Sequence, residues 1–431
     1  MKKILLILLS FFFISQQVLA VTLFEALTEA YKNNPELNAE RENINISEQN
    51  LKISKGNFLP SIIISGSKSQ ENTEKLTNRA GNDAVISDVD PLTQSLTIEQ
   101  TIVDFGRTAD IQKNNIGIDL AKTKLLKKEQ EILLKAIEAY SGLILANEKF
   151  KINQSNLNLL ERQVETDKAR LERGQITLSD LAQSEASLAG AQASFIQSKS
   201  EIVSNKLNYE NIIGPILNID SLEKNSNINF ALPSNLKNAI TISKKNNPEL
   251  IIAKLEYEQS EKDVLISRSD LSPSAKLSFE NSRSEDLSST YDERNKSILK
   301  ATVSWPIYSG GKNRASLNKS KNLQNRKRLL LDSVTKANDT NVASSWSIFE
   351  SSKSLLNSVK SQVKAAKIAN EGITAEYESG LGRSTLDVIQ SNSILLNARI
   401  NLANSERNYL LAQFKLLKSV GLLSSNHLKI K

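Results

Sequence analysis

Cysteine is absent from all 431 residues. That excludes disulfides, thiolate metal sites and thiol nucleophiles, and with them a lipid-modified cysteine at a mature N-terminus. Histidine is nearly absent. The one copy, His427, lies near the C-terminus, so neither a His/Cys metal cluster nor a Ser-His-Asp triad can be assembled. Turn chemistry is scarce as well, with 15 glycines, 8 prolines and 5% aromatic residues. A string of compact α/β units needs more, and the shortage favours a few very long elements. Missing too is any apolar run near the ~20 residues of a membrane-spanning helix. The formal charge of +7 falls to +5 without Lys2 and Lys3, a mildly basic solvated surface for which no nucleic-acid partner is expected.

What is present begins with the N-terminus. Lys2 and Lys3 precede an apolar stretch from Ile4 to Ile14, followed by Ser15, Val18, Leu19 and Ala20. A short charged region, an apolar core and small residues before a cut read as a signal peptide, with cleavage expected after Ala20. The chain then leaves the cytoplasm, and any membrane insertion has to use strands.

The sequence repeats itself. Asn33-Asn34-Pro35-Glu36-Leu37 recurs as Asn246-Asn247-Pro248-Glu249-Leu250, 213 positions on, and Pro60-Ser61 recurs as Pro273-Ser274. Ile102 to Arg107 corresponds to Ile307 to Lys312, offset 205, and Glu172-Arg173-Gly174 to Glu378-Ser379-Gly380, offset 206. Ordered matches of this kind indicate a tandem duplication. The offset falls because the first half has a longer polar loop, Gln70 to Thr93 against Asn281 to Ser297.

Between these landmarks, periodicity assigns the elements. Gly106–Gly174 and Gly311–Gly380 contain no proline. Leu356, Val359, Val363, Ala366, Asn370, Ile373 and Tyr377 follow the 3-4 spacing of a coiled-coil seam,. Helices of this length reach roughly 100 Å at 1.5 Å per residue. Gly174 and Gly380 then mark the turns of antiparallel helical hairpins, since glycine takes the left-handed C-terminal position without a Cβ clash. Strands are expected beside the polar loops. Leu299, Ala301, Val303, Trp305 and Ile307 alternate with Lys300, Thr302, Ser304 and Pro306, and Ala275, Leu277 and Phe279 with Lys276, Ser278 and Glu280. In the first half Leu96, Ile98 and Ile102 alternate with polar residues, with Gln100 breaking the face, and Ile62-Ile63-Ile64 forms the partner. Such alternation is the signature of a membrane barrel strand, although an ordinary half-buried hairpin shows it too.

Four strands do not close a barrel, because single-chain barrels start at eight. Open edges cannot persist in lipid, where an unpaired backbone group costs several kcal/mol. The strands must therefore be shared between chains. Two copies would close eight strands and three would close twelve around a lumen; the residues alone permit both.

No enzyme, cofactor or metal site is expected. Gly310-Gly311-Lys312 ends like a phosphate loop, but Pro306 stands where the first glycine belongs; Gly380-Leu381-Gly382 opens like a dinucleotide fingerprint, but Thr385 replaces the third,.

The order helix, strand pair, long helix, glycine turn, helix, repeated once, resembles the TolC family of outer-membrane efflux and secretion channels. The doubled Asn-Asn-Pro-Glu-Leu, the Trp305-Pro306-Ile307-Tyr308-Ser309-Gly310-Gly311 segment and the two glycine turns carry the resemblance. It spans essentially the whole mature chain. It implies a homotrimer in the outer membrane of a Gram-negative bacterium: a twelve-stranded barrel continuing into an α-helical tunnel in the periplasm. It further implies a passive exit duct in contact with outer-membrane lipid. The implied partners are a periplasmic adaptor (membrane fusion) protein and an inner-membrane ABC or proton-driven exporter. By the same resemblance Tyr377, Arg383, Asp387, Gln390 and Asp180 belong to a periplasmic gate, in which the second-half hairpin carrying Tyr377, Arg383 and Asp387 is linked to Asp180 of the first. Gly174 and Gly380 mark the adaptor-docking tips. Two departures stand out, one residue inserted between Gly380 and Arg383, and Gln390 in place of a second ring aspartate. The expected divisions are the leader 1–20, a first repeat 21–213, a linker 214–235, a second repeat 236–424 and a tail 425–431. The rival readings are a periplasmic coiled-coil adaptor, which needs only one hairpin, and a structural coiled-coil protein, which needs no paired strands.

Overall fold

A computed structural model describes residues 21–72, 74, 75, 77, 79–83, 89–224, 231–288 and 291–430. The expected leader, part of the first polar loop and residues 225–230 of the linker lie outside the described residues. The first half runs α1 (Leu23–Asn33), α2 (Pro35–Gly56), β1 (Ser61–Lys68), β2 (Leu92–Val103), α3 (Gly106–Glu172) and α4 (Leu178–Ile212). The second runs α5 (Leu236–Asn246), α6 (Pro248–Ser269), β3 (Ser274–Ser288), β4 (Tyr291–Ser304), α7 (Lys312–Glu378) and α8 (Thr385–Ser419), closed by the short α9 (Ser425–Leu428). The four helices of one half match those of the other residue for residue in length: 11, 22, 67 and 35. Duplication is thus written into the geometry as well as the motifs.

The repeated Asn-Asn-Pro is a helix break. Asn34 ends α1, and its side-chain oxygen accepts from the N–H groups of Glu36 (3.0 Å) and Leu37 (3.2 Å). Pro35 follows at the first helical position, where its missing N–H costs nothing. In the second copy the Asn247 amide also donates, to Asn338 Oδ1 (2.9 Å) and the Ser419 carbonyl (3.0 Å). Gly421 lies against this break at φ 80°, and a Cβ there would come within 2.2 Å of the Asn246 carbonyl oxygen.

The chain divides into two compact units. One comprises the described residues within 21–38, 126–247 and 338–430. Its apolar core includes the fully buried Leu23, Leu27 and Leu37 with Ile132, Leu133, Ile137, Tyr140 and Leu143 of α3. A second cluster joins Val342 and Phe349 of α7 to Ala412, Leu416 and Val420, with Trp346 and Tyr409 packed on it. The Tyr140 hydroxyl lies 2.8 Å from the carbonyls of both Val21 and Glu223, tying the start of the described chain to the linker. Burial pushes that phenol's pKa up.

The other unit, residues 39–125 and 248–337, holds the sheet. Its four strands are antiparallel in the order β1-β2-β3-β4, so β1 and β4 are open edges. Register places Ile62 beside Ile98, Ile98 beside Phe279 and Phe279 beside Leu299, with Leu277↔Ala301 and Ala275↔Val303 on the same face. That face is apolar and exposed: Ile64, Leu299 and Val303 keep 83%, 72% and 74% of their surface. The opposite face carries Ser65, Ser95, Thr97, Ser278, Ser282, Lys276 and Lys300. Gln100, which interrupts the apolar face, donates its amide to the Phe58 carbonyl at 2.9 Å. Exposed Phe58, Phe105, Trp305 and Tyr308 flank the strand ends, as aromatic side chains do at a membrane interface.

One expectation needs correction. The polar segment Asn281 to Ser297, read as a loop, is strand over most of its length. Its polar side chains satisfy one another across the ladder: Arg283 bridges Glu285 (2.8 Å) and Glu293 (3.3 Å), and Asn281 donates to Ser297 at 2.8 Å. A strand without an apolar face loses its hydrophobic alternation but not its backbone pairing.

Candidate functional site

The hairpin ends α3/α4 and α7/α8 lie in the same unit, and every residue of the expected gate falls there. Each long helix ends on a left-handed glycine, Gly174 at φ 70° and Gly380 at φ 75°. Around Gly174 the backbone bonds run Gly174 N to Leu171 O (2.9 Å) and Gln175 N to Arg170 O (2.9 Å); around Gly380 they run to Tyr377 O (3.2 Å) and from Leu381 N to Glu376 O (3.0 Å). This paired arrangement satisfies carbonyls the helix end would otherwise orphan. The inserted residue of the second turn is absorbed by Gly382, at φ 80°.

The returning helices start on capping boxes. Thr177 caps α4 and Ser384 caps α8, each bonded reciprocally to the acid three residues on, Asp180 or Asp387. The Thr177 N–H (2.9 Å) and hydroxyl (2.8 Å) both donate to Asp180, and Ser384 serves Asp387 identically at 2.9 Å from each group. These bonds hold both carboxyls below their ordinary 3.8, with the Arg383 charge adding a smaller share at Asp387.

Tyr377 is buried. Its hydroxyl donates to Asp167 Oδ1 at 3.0 Å and lies 3.0 Å from the Thr385 hydroxyl. A phenol has one proton and a carboxylate only accepts, so Thr385 is the donor in the second bond. Asp167 is completely buried and also accepts from Ser184 (2.5 Å) and from the Gln163 amide (3.0 and 3.1 Å). The Arg170 guanidinium sits 4.2 Å above the Tyr377 ring, a cation–π contact. One carboxylate of α3 thereby fastens α4 and α7 directly, and α8 through the Tyr377 hydroxyl.

Within the single chain Tyr377 is joined to Asp167, and Asp180 caps α4. Arg383 donates to Glu376 at 2.6 Å, an exposed pair, and Gln390 is exposed. Sequence reasoning missed Asp167, Ser184 and Glu376. Asp167 lies seven residues before Gly174 and three after Val164 on the buried side of the helix, and an acid on an apolar stripe was the available signal. Among the described residues no cluster of acids and histidine could hold a metal, and no helix is long and apolar enough to cross a membrane.

Comparison with known proteins agrees with this architecture. The family described as outer membrane efflux protein matches the chain twice, over residues 26–214 and 239–422, one match per repeat. The outer membrane efflux protein BepC of Brucella suis is 25% identical over 96% of this chain and 89% of its own length. The alkaline protease secretion protein AprF of Pseudomonas aeruginosa is 20% identical over 96% and 87%. Among solved structures, the Campylobacter jejuni CmeC outer membrane channel superposes with a TM-score of 0.80 at 16% identity, covering 93% of this chain and 85% of that one.

Proposed function

The chain belongs to the outer membrane efflux protein family, and from that premise we propose that it is the outer-membrane exit duct of a tripartite efflux pump or a type I secretion system. It acts passively and catalyses nothing. The observation that carries this reading is the sheet: four strands with one apolar, exposed face and two unpaired edges. Such a sheet is stable in lipid only when other copies pair β4 with β1 and close a barrel. Three copies close twelve strands around an open lumen. The apolar face meets the outer-membrane lipid, and the hydroxyl- and lysine-bearing face lines the passage.

The hairpin ends form the periplasmic gate. Tyr377 holds the second hairpin to the first through Asp167, with Arg383, Asp387, Gln390 and Asp180 around the turns. Gly174 and Gly380 mark the tips that meet a periplasmic adaptor, itself coupled to an inner-membrane ABC or proton-driven exporter. Relatives named for protease secretion and for efflux support either kind of cargo. The test is reconstitution of the purified full chain. A heat-modifiable trimer in the outer-membrane fraction and discrete bilayer conductance are expected, rising in Tyr377→Phe with Arg383→Ser. A chain that fractionates with the periplasm and conducts nothing would remove the reading.

A further inference from the structure

The two strand-to-helix junctions are duplicates that differ in charge. Ile102 to Arg107 corresponds to Ile307 to Lys312. At the first junction the cation is satisfied within the chain. The Arg107 guanidinium pairs with Asp104 at 3.6 Å, donates to the Thr101 carbonyl at 3.0 Å and lies 5.4 Å from the centre of the Phe58 ring. The second junction reads Ser309-Gly310-Gly311-Lys312-Asn313-Arg314, and no acid occurs from Trp305 to Leu331. Lys312 and Arg314 are exposed and make no ion pair among the described residues. Helix electrostatics does not account for them. They open α7, the end at which the macrodipole disfavours positive charge. No acid stands in the first turn of α7, whereas α4 and α8 have Asp180 and Asp387 there.

Hydrogen bonds place these cations close to the sheet. Trp305 Nε1 donates to the Leu271 carbonyl at 3.1 Å, and the Asn313 amide donates to the Asp270 carbonyl at 2.7 Å. Asp270 precedes the first residue of β3, Ser274, by four positions, a reach of at most about 14 Å. Lys312 and Arg314 flank Asn313 in sequence, so they sit just beyond the strand end. Between them and the strand, Ile307 and Tyr308 are both 86% exposed, and Trp305 is exposed as well. An exposed apolar sheet is thus followed by aromatic side chains and then by unpaired cations. Acyl chains, interface and anionic headgroups follow one another in the same order.

We infer that Lys312 and Arg314 bind the headgroup phosphodiester of an anionic phospholipid in the leaflet next to the helices. Trp305 and Tyr308 lie against its glycerol and upper acyl chains. Arg268, exposed in the last turn of α6 and likewise without an ion pair among the described residues, adds to the attraction. A lipid fits better than a soluble anion because the cations continue an apolar exposed surface. The first junction offers no second site of this kind, since Asp104 already neutralises Arg107.

This inference rests on the proposed channel, and the experiment separates the two. The chain has two tryptophans, so Trp346→Phe leaves Trp305 as the reporter in the full-length protein. It is reconstituted in vesicles of phosphatidylcholine and phosphatidylglycerol, with one lipid or the other brominated at equal mole fraction. Brominated phosphatidylglycerol should quench Trp305 roughly threefold more strongly, a preference within reach of two cations at an anionic surface. Native mass spectrometry of the unaltered chain should likewise retain more phosphatidylglycerol than phosphatidylcholine. Lys312→Gln with Arg314→Gln should remove the preference while conductance persists. Lys360→Gln with Lys364→Gln, the same charge loss farther along α7, should leave it, and an equal loss there would reduce the effect to net charge and overturn the site. Millimolar inorganic phosphate should not abolish the preference; if it does, the occupant is a free anion and the lipid assignment falls. Equal quenching by both lipids in a conducting channel would overturn the headgroup site alone. A chain that neither enters vesicles nor is quenched would overturn both.

Discussion

The two hairpins of this protein have identical helix lengths and very different surfaces. Between residues 132 and 143, α3 buries Ile132, Leu133, Ala136, Ile137, Tyr140 and Leu143 almost completely. Its counterpart α7 leaves Leu329, Ile348, Leu355 and Ile368 between 53% and 62% exposed. The tips differ in the same sense. The first contributes a fully buried carboxylate, and the second contributes the tyrosine that reaches it and a turn one residue longer. Surfaces are free to diverge: this stretch of α3 is packed nearly solid, whereas α7 buries Val342 and Phe349 in a cluster of its own and leaves other apolar side chains exposed.

The sharpest way to break this comparison is to truncate both halves alike. Leu133→Ala should destabilise the purified protein by about 2–5 kcal/mol, the usual cost of a large-to-small change in a packed core. Leu355→Ala should stay within about 0.5 kcal/mol in the dissociated chain. Equal shifts in denaturant midpoint for the two would erase the asymmetry.

The next effect is at the tips. Asp167→Ala strands the hydroxyls of Tyr377 and Ser184 and the Gln163 amide in a buried site, at about 1–3 kcal/mol for each donor that finds no other partner. Tryptic cleavage after Arg170 and Arg173 should accelerate on the order of tenfold or more. Tyr377→Phe removes two bonds, to Asp167 and from Thr385, of about 1 kcal/mol each, leaves the other donors to Asp167 in place, and should give a smaller acceleration. A tip as resistant as the parent in Asp167→Ala would show that the capping boxes alone hold it.

Arg383→Ser comes third. Its pair with Glu376 is exposed on both sides, and such pairs are worth ~0–1 kcal/mol. The change in cleavage rate should be under about fivefold, vanishing in high salt as surface charges are screened.

The smallest expected effect is one the two halves share. Asp180 and Asp387 carry carboxyls depressed below 3.8. Their stabilisation is fully present above that ordinary value and is lost as pH falls through the depressed one. Helix-end protection measured by hydrogen exchange should be flat from pH 7 to 5 and weaken only below about 4. Asp180→Asn and Asp387→Asn should abolish the acid dependence equally, and a response confined to one tip would show that the boxes are not equivalent.

Much of this architecture was legible in the residues. The Asn-Asn-Pro breaks, the proline-free helical spans and both glycine turns sit where the motifs place them, because each depends on local backbone chemistry. The strand pairs were legible where alternation was apolar, at Leu277, Phe279, Leu299 and Val303. They were not legible at Arg283 and Glu293, where polar cross-strand pairs do the holding and polarity looks like loop. The Tyr377–Asp167 bond was hidden for a different reason. Its partners are 210 positions apart, and no local spacing reports which acid of another helix a tyrosine will meet.

Asp167 also says something about time. Four helices hang on one carboxylate, and the loss of any one donor leaves the others holding a poorly solvated charge. The fastening therefore weakens by one share with each lost donor and fails whole only when all of them let go together. A single molecule watched for long enough should show abrupt steps between quiet plateaus rather than drift, with dwell times set by how often all of those bonds let go together.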